Sequence, residues 1–388
     1  MPSITAQGKA SLDAFIDQAG QDPVNPPFVF GVTTAQGEVY FKGTASPKLI
    51  THLAAMQLVN SGRLSLSTPV SQYIPEFENL VVIEDVPPIP DLIAQTKAGT
   101  PPEPKPTLKY HAAKEVMRIE HLMHHTKQDT PYAGPHDPKD PVGAFLRAIK
   151  GGLPATPLKF EPGADWAYGW SSDVLGFVIE KIVGTTLDEY MKAHIFKPLG
   201  MTQTSFHQSP LMRANLMSVT LRREGGALST WDHPFYESDP EKVHLFCGGA
   251  SILSSARDYL CFLRHLLQIH QETIPPGDAI IPRARLLELL APSLTGKPLE
   301  TMQSFLGTAL PTRGVTWANG QAVVTEDWPG MRKMGSGFWS GYLNTSHWID
   351  PSTGIAAVFQ SQLLPPLDRG MLMLGAQLEM MLYAGLGQ

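Results

Sequence analysis

Apolar residues recur along the chain at two different spacings, and each spacing predicts its own kind of element. Near the N-terminus, residues 12–19 carry apolar side chains on one face of a helix that Ser11 can cap. Residues 28–33 then read as a strand, and the alternation in 38–42 is typical of its hairpin partner. The turn at 35–37 joins them, so the N-terminal part predicts a helix followed by a β-hairpin.

The interior of the chain predicts three further helices. Apolar residues at helical spacing cover 49–59, 174–183 and 260–267. Gly62 and Gly184 follow the first two stretches and are suited to end them. Serines that can cap the second and third helices stand at positions 171, 172, 254 and 255.

The C-terminal part returns to strands before a last helix. Residues 346–349 and 355–362 read as strands around a turn, and 367–384 predicts a helix rich in leucine and methionine. Strands therefore lie at both ends of the chain, with helices and loops between them. This order predicts an α/β fold in which the N- and C-terminal segments form one antiparallel sheet, flanked by helices and interrupted by an inserted, mostly helical domain.

The same pattern sets the expected domain boundaries. We expect the sheet domain to comprise residues 1–60 and 245–388, and the inserted helical domain to comprise residues 61–244. Within the insertion, residues 87–106 hold seven prolines in twenty positions. Such a density of proline argues against regular structure, so a loop is expected there.

Composition narrows the class of protein. The 388 residues carry 30 basic and 36 acidic side chains without long single-sign runs, which argues against nucleic acid as a partner. Two cysteines cannot form a disulfide framework, so a reducing compartment is expected. No apolar run approaches the ~20 residues of a membrane span, and the N-terminus lacks the pattern of a secretory signal. We therefore expect a cytoplasmic enzyme that does not enter the membrane.

Metal and nucleotide sites find little support. The chain lacks the glycine-rich phosphate-binding motifs, the G-x-S-x-G elbow and paired C-x-x-C motifs. His121, His124 and His125 have the spacing that gathers imidazoles on one helical face. A zinc site also needs further ligands and a general-base carboxylate, so histidines at a helix end are the preferred interpretation. The sequence predicts no metal and no organic cofactor.

The most specific signal is the segment 43–51, GTASPKLIT, which runs into the helix predicted from residue 49. With residues 61–66 and 69–77, it resembles the serine β-lactamase-like superfamily. The resemblance is to the branch of class C β-lactamases, family VIII esterases and fungal acyltransferases of the statin-pathway type. In that family S-x-x-K-x-x-T begins a helix, so the lysine amine can take the proton of the serine hydroxyl. The helix N-terminus favours negative charge on the reacting oxygen.

Further segments match the family in its own order, and together they cover roughly residues 10 to 384. They are residues 122–126, 161–168, 247–259, 337–341 and 348–351. The resemblance implies that Tyr168 is the tyrosine of the Y-x-N motif, with Trp170 replacing the asparagine. A tyrosine beside the lysine can relay the proton to the leaving group. The resemblance also implies that the W-x-G motif supplies an oxyanion-hole N–H and that these residues contact substrate: Trp339, Ser340, Gly341, Tyr342 and Trp170.

The nucleophile departs from the family pattern. Counting back three residues from Lys48 reaches Ala45, while Ser46 stands two residues before the lysine. On a regular helix, side chains at i and i+2 point ~200° apart, so Ser46 and Lys48 would not meet there. Ser46 is either the nucleophile after a one-residue deletion, with Pro47 opening the helix, or only the helix cap. The family also has a strand and loop before this motif, for which the chain has little length.

The sequence therefore predicts a serine hydrolase or acyltransferase that acts on an ester, thioester or lactone-like small molecule in secondary metabolism. Ser46 would be acylated, Lys48 would act as base and Tyr168 would move protons, with a small-molecule acyl substrate as the partner. W-x-G in place of K-T-G favours ester chemistry over β-lactam hydrolysis. Two alternatives remain open: a binding protein that has lost the nucleophile, and a Lys48–Tyr168 pair for non-covalent isomerisation, dehydration or cyclisation. The sequence does not indicate an oligomeric state.

Overall fold

The elements follow one another as helices and short strands in a computed structural model, which describes residues 2–42, 49–84, 108–123, 137–231, 239–307 and 314–387. The helices are α1 (Ala6–Gln21), α2 (Ile50–Asn60), α3 (Ile119–Met123), α4 (Pro141–Lys150), α5 (Ser171–Val183), α6 (Leu187–Met191), α7 (Pro210–Ala214), α8 (Ala256–His270), α9 (Arg283–Leu290), α10 (Gly296–Leu306) and α11 (Arg369–Ala384). The strands are β1 (Phe28–Thr34), β2 (Glu38–Lys42), β3 (Val81–Ile83), β4 (Tyr110–Ala112), β5 (Pro157–Leu158), β6 (Thr204–Ser205), β7 (Thr220–Arg222), β8 (Leu228–Thr230), β9 (Leu253–Ser254), β10 (Val315–Trp317), β11 (Ala322–Val324), β12 (Gly337–Ser340), β13 (Ser346–Asp350), β14 (Ile355–Ser361) and β15 (Leu363–Leu364).

Both ends of the chain contribute to one seven-stranded sheet, in the order β10-β11-β12-β13-β14-β1-β2. The N-terminal strand β1 pairs antiparallel with the C-terminal strand β14, from Phe28 opposite Ser361 to Thr34 opposite Ile355. The predicted antiparallel sheet built from both chain ends is therefore confirmed. Smaller sheets of two or three strands lie elsewhere in the described part of the chain.

Helices cover both faces of this sheet. Alternate residues of β14 point to opposite faces, as the period of a strand requires. Ala356 and Val358 belong to the hydrophobic cluster that includes α8, whereas Ile355 and Phe359 belong to the cluster that includes α1 and α11. Every residue of β14 is buried, which explains why this strand reads as an almost continuous apolar run.

Most predicted helix ends agree with the structure, but two caps are wrong. Ser171 and Ser172 lie inside α5, whose N-cap is Trp170 and which has no side-chain cap. Ser255 caps α8 by accepting the N–H of Asp258, and Gly184 ends α5 in the left-handed conformation. The cap of α1 is Thr5, whose hydroxyl accepts the Gly8 N–H, and not Ser11. The apolar period marks only large buried side chains, so it could not show that α1 begins a turn and a half earlier, where the residues are exposed except for Gly8.

Helix α2 lies at the centre of the helical side. Its residues from Ile50 to Met56 are all buried, as expected of a helix that is apolar on every side. It packs against α5, and this contact brings together two segments that are 120 residues apart in sequence at His52 and Ser172.

The division into residues 1–60 with 245–388 and an insertion at 61–244 stays a prediction, and the proline-rich stretch 87–106 lies outside the described residues. Over the described ranges, none of the helices has the length and apolar character needed to traverse a bilayer.

Glu180 makes the stability of α5 sensitive to pH. Its carboxylate accepts the Leu187 N–H at 2.8 Å, but burial raises its pKa from 4.5 to about 7. Between these values the folded chain keeps a proton that the unfolded chain releases. The contribution of the Glu180 carboxyl to the free energy of unfolding is therefore fully present below pH ~4.5 and is lost as the pH rises through ~7.

Replacing Glu180 with glutamine should remove this pH dependence. The amide keeps an acceptor for the Leu187 N–H and cannot ionise. The free energy of unfolding of the variant, relative to that of the wild type, should therefore be about 2 kcal/mol higher at pH 8 than at pH 5. Urea unfolding at the two pH values measures the difference. The exposed Glu78, changed to glutamine, is the matched control and should not alter the slope. Equal pH slopes in the wild type and Glu180→Gln would contradict the assignment.

Candidate active site

The two residues at the head of the predicted mechanism, Ser46 and Lys48, lie outside the described residues. The description resumes at Leu49, and α2 begins at Ile50. The described part of the site consists of the first turn of α2 and the elements packed around it.

Two hydrogen bonds fasten the first turn of α2. The Thr51 hydroxyl donates to the carbonyl oxygen of Gly248 at 2.6 Å. His52 Nε2 and Ser172 Oγ lie 2.8 Å apart, and both side chains are buried. A Cβ at Gly248 would come within 2.6 Å of the Ser172 carbonyl oxygen, so the close approach requires glycine there. The start of α2 is thereby held against the start of α5.

The structure brings together Tyr168 and Trp339, which the motif resemblance had singled out separately. Tyr168 stands three residues before α5, and Trp339 lies on β12. The indole Nε1–H of Trp339 donates to the phenol oxygen of Tyr168 at 3.2 Å, with ring centroids 5.2 Å apart. Because α5 contacts α2 through Ser172 and His52, Tyr168 lies in the segment that leads into the helix next to the start of α2.

Tyr168 and Trp339 belong to a larger group of rings, which we call the aromatic wall: Trp166, Tyr168, Phe305, Trp317 and Trp339. Trp317 meets Trp339 edge to face at 4.6 Å and Trp166 at 5.8 Å. Phe305 stacks on Tyr168 at 6.1 Å and packs on Trp166 at 5.3 Å. Phe305 and Trp317 carry no signal in the sequence, because neither lies in a motif and their contacts come from distant segments.

The far end of β12 extends beyond its neighbour β11. The ladder between the two strands stops at Ala322 opposite Phe338, whereas the ladder to β13 continues to Ser340 opposite Ser346. The Gly341 N–H donates to the Thr345 carbonyl at 2.6 Å. Backbone N–H groups alternate sides along an antiparallel strand, so the Ser340 N–H points away from β13, towards the side that β11 no longer covers.

The other predicted substrate contacts differ in accessibility. Tyr342 is exposed in the turn after β12. Trp170 is 1 % exposed, packs edge-on against Phe77 at 6.1 Å, and belongs to the hydrophobic cluster on the helical side. Tyr168 packs against the other cluster. Although Trp170 is only two residues from Tyr168, its indole is covered by the core, and a substrate contact would require it to be uncovered.

Among the described residues near this region, the titratable groups do not offer another nucleophile or a metal site. Burial raises the pKa of the Cys247 thiol well above its usual value, and the nearby Asp173 carboxylate adds to the effect, so the thiol stays protonated. His121 Nδ1 accepts the Arg118 N–H at 3.0 Å, and burial lowers its pKa. His124 and His125 lie outside the described residues. Within the described ranges, no group of three or more His, Cys, Asp or Glu side chains could hold a metal ion.

His52 is expected to position the start of α2 against α5. His52→Leu should leave the Ser172 hydroxyl without this partner and cost ~1–3 kcal/mol of stability. It should also lower kcat by about tenfold with little change in KM, because misplacement of reacting groups affects the chemical step. His52→Gln is the matched control, since its amide nitrogen reaches as far as Nε2 and should restore most of both losses. Identical behaviour of the leucine and glutamine variants would contradict the positioning role.

Known proteins are similar to this chain over most of its length. The profile of the β-lactamase family matches residues 46–379. The acyltransferase calJ of Penicillium decumbens is 24% identical over 370 residues, which span 89% of this chain and 80% of the relative. The lovastatin esterase of Penicillium rubens is 27% identical over 348 residues, 84% of this chain and 79% of the relative.

Among solved structures, the simvastatin synthase of Aspergillus terreus is similar to this chain with a TM-score of 0.78 and 22% identity. The superposition covers 98% of this chain and 99% of that one. The predicted β-lactamase/transpeptidase-like fold is thereby confirmed.

Proposed function

This chain belongs to the β-lactamase family, and from that membership we propose that it is a serine esterase or acyltransferase of secondary metabolism. Its substrate would be an ester, thioester or lactone-like small molecule, and the acyl group would pass to water or to an acceptor alcohol. The relatives named above are an acyltransferase and an esterase, which supports acyl chemistry. No cofactor is required for this reaction.

The observation that carries the proposal is the hydrogen bond from Trp339 Nε1 to Tyr168 Oη at 3.2 Å, in which Tyr168 belongs to the segment that leads into α5. A tyrosine whose oxygen accepts from a fixed indole directs its own proton elsewhere. In the proposed reaction this proton passes to the leaving-group oxygen. This hydrogen bond supports the proposal that Tyr168 is the proton donor implied by the family resemblance.

The proposed reaction has two halves. Lys48 takes the proton of the Ser46 hydroxyl, the serine oxygen attacks the acyl carbon, and the Ser340 N–H stabilises the oxyanion. Tyr168 protonates the leaving oxygen as the bond to it breaks. Water or an alcohol then attacks the acyl-enzyme with the proton transfers reversed, and Ser46 is released.

Covalent labelling tests the serine mechanism. A fluorophosphonate should add one adduct per chain, and peptide mapping should find it on Ser46. Ser172 is the informative comparison, because its hydroxyl oxygen lies 2.8 Å from a ring nitrogen of His52. An adduct on Ser172 alone would refute the assignment of Ser46.

The displaced serine favours one alternative function, which is non-covalent acid–base chemistry. Ala45 stands where the family has its nucleophile, which favours non-covalent acid–base chemistry by Lys48 and Tyr168 if no adduct forms. Turnover of a substrate by a protein that phosphonate does not label would support this reading. If the protein shows neither turnover nor labelling, a binding protein is the interpretation that remains.

Trp339→Phe should separate the indole hydrogen bond from the indole's packing. Loss of one such bond is worth ~0.5–1.5 kcal/mol, so kcat should fall up to about tenfold. Trp328→Phe is the matched control, since Trp328 packs on Phe338 and should cost stability without lowering kcat. Unchanged kcat in a folded Trp339→Phe protein would contradict a role for the bond.

A further inference from the structure

The turn between β12 and β13, residues 341–345, is closely bonded within itself. The Gly341 N–H donates to the Thr345 carbonyl at 2.6 Å, and the Asn344 N–H donates to the Gly341 carbonyl at 3.1 Å. A Cβ at Gly341 would come within 2.0 Å of the Thr345 hydroxyl oxygen, so the turn has no room for a side chain there. Leu343, Asn344 and Thr345 are all buried.

The Asn344 side chain ties this turn to residues 362–368, which follow β14. Its amide nitrogen donates to the carbonyl oxygens of Leu363 at 2.9 Å and Pro365 at 2.8 Å. Its amide oxygen accepts the Asp368 N–H at 2.8 Å. The amide therefore uses both of its N–H groups and its oxygen on the neighbouring backbone. The φ of Asn344 is 59°, in the left-handed region where asparagine is more common than most residues.

Ser361, at the end of β14, holds the same turn from a second side. Its hydroxyl donates to the Leu343 carbonyl at 3.0 Å, with the Asn344 carbonyl oxygen 3.3 Å away. The Leu363 N–H also donates to the Leu343 carbonyl, at 3.2 Å. Ser361 is fully buried, so water does not compete for its hydroxyl. The turn is thus fixed to the chain at and beyond the end of β14.

These bonds also fix the end of β12. The strand ends at Ser340, directly before the turn, and its ladder to β11 has already stopped at Phe338. Because β11 no longer pairs there, the place of the Ser340 N–H depends on β13 and on the turn. In the proposed reaction this N–H stabilises the oxyanion, and such a donor is effective only when it is held in place before the reaction.

We propose that Asn344 is a positioning residue, which holds the Ser340 N–H where the oxyanion forms. This inference rests on the proposed function, since the role of the Ser340 N–H is taken from it. Asn344 acts through the turn, because its amide is engaged by the backbone of residues 363–368.

Asn344→Gly tests this role, because glycine keeps the left-handed conformation and removes the three side-chain hydrogen bonds. In the hydrolysis of p-nitrophenyl acetate, kcat should fall at least about tenfold while KM stays within about twofold, since a misplaced donor affects mainly the chemical step. Thr186→Ala removes the N-cap of α6 and controls for a general loss of stability, so it should keep both constants. An unchanged kcat in a folded Asn344→Gly protein, or a loss confined to KM, would overturn the proposal.

Amide hydrogen exchange separates this proposal from the proposed function, because it needs no substrate. The peptide of residues 337–346 should exchange at least about tenfold faster in Asn344→Gly than in the wild type, while residues 256–270 of α8 exchange equally in both. If the wild type does not hydrolyse the ester, the failure lies in the proposed function, and exchange decides whether Asn344 fixes the end of β12. Equal exchange of residues 337–346 in the two proteins overturns the proposal.

Ser361→Ala provides the same test if Asn344→Gly does not fold. It removes the hydroxyl that contacts the Leu343 and Asn344 carbonyls and leaves the Asn344 amide in place. The same fall in kcat and the same faster exchange of residues 337–346 are expected, to a smaller extent. A folded Ser361→Ala protein with wild-type kcat and wild-type exchange would contradict the proposal.

Discussion

Replacing Lys48 with arginine is expected to abolish turnover even though the positive charge is kept. A general base must lose its own proton before it can take one from a hydroxyl, and a guanidinium stays protonated in proteins. Groups of this kind contribute ~10²–10⁴-fold to the rate. Both Lys48→Arg and Lys48→Ala should therefore lose that much of kcat, measured by steady-state hydrolysis of an activated ester.

Lys9→Arg is the matched control, because Lys9 lies exposed on α1, and it should retain full activity. The wild-type rate should also rise with pH as the Lys48 amine loses its proton, and this limb should vanish in both Lys48 variants. Full activity in Lys48→Arg would rule out a general-base role and leave the lysine as a fixed charge.

The architecture could be predicted because it depends on local patterns that repeat. The strand period in residues 28–42 and 346–362 indicated a sheet shared by both chain ends, and β1 pairs with β14 as expected. The predicted end of α5 was correct because Gly184 adopts the left-handed conformation, with a φ of 75°, which favours glycine. The predicted cap of α1 was wrong because residues 6–11, which are exposed except for Gly8, carry no apolar period that would mark the first turns.

Only those site residues that lie within the family motifs could be predicted from the sequence. The resemblance named Tyr168 and Trp339 from different segments, and the hydrogen bond between them is a contact that periodicity could not have revealed. Phe305 lies outside every motif, and its stacking on Tyr168 depends on how α10 docks. Trp170 was expected near the substrate because of its closeness in sequence to Tyr168, yet its side chain joins the opposite cluster.

The role of Ser46 is the prediction with the sharpest two outcomes. If Ser46 is the nucleophile, Ser46→Ala should abolish acyl-enzyme formation and lower kcat by ~10⁴-fold or more, as loss of an attacking serine does elsewhere. If it only caps the helix, the same change should cost ~1 kcal/mol of stability and leave activity nearly intact. We expect the first result. Mass spectrometry after incubation with an activated ester, together with urea unfolding, measures both quantities on one protein.

A register swap makes this test independent of stability. Ala45→Ser combined with Ser46→Ala returns the serine to three residues before Lys48, the spacing at which two side chains share a helical face. If the chain has adapted to the displaced serine, the swapped protein should be as inactive as Ser46→Ala. If the swap instead raises activity above the wild type, the family register is the productive one, and Ser46 serves as a cap in a chain that has lost its nucleophile. Ser46 remains the nucleophile only if it alone carries the adduct.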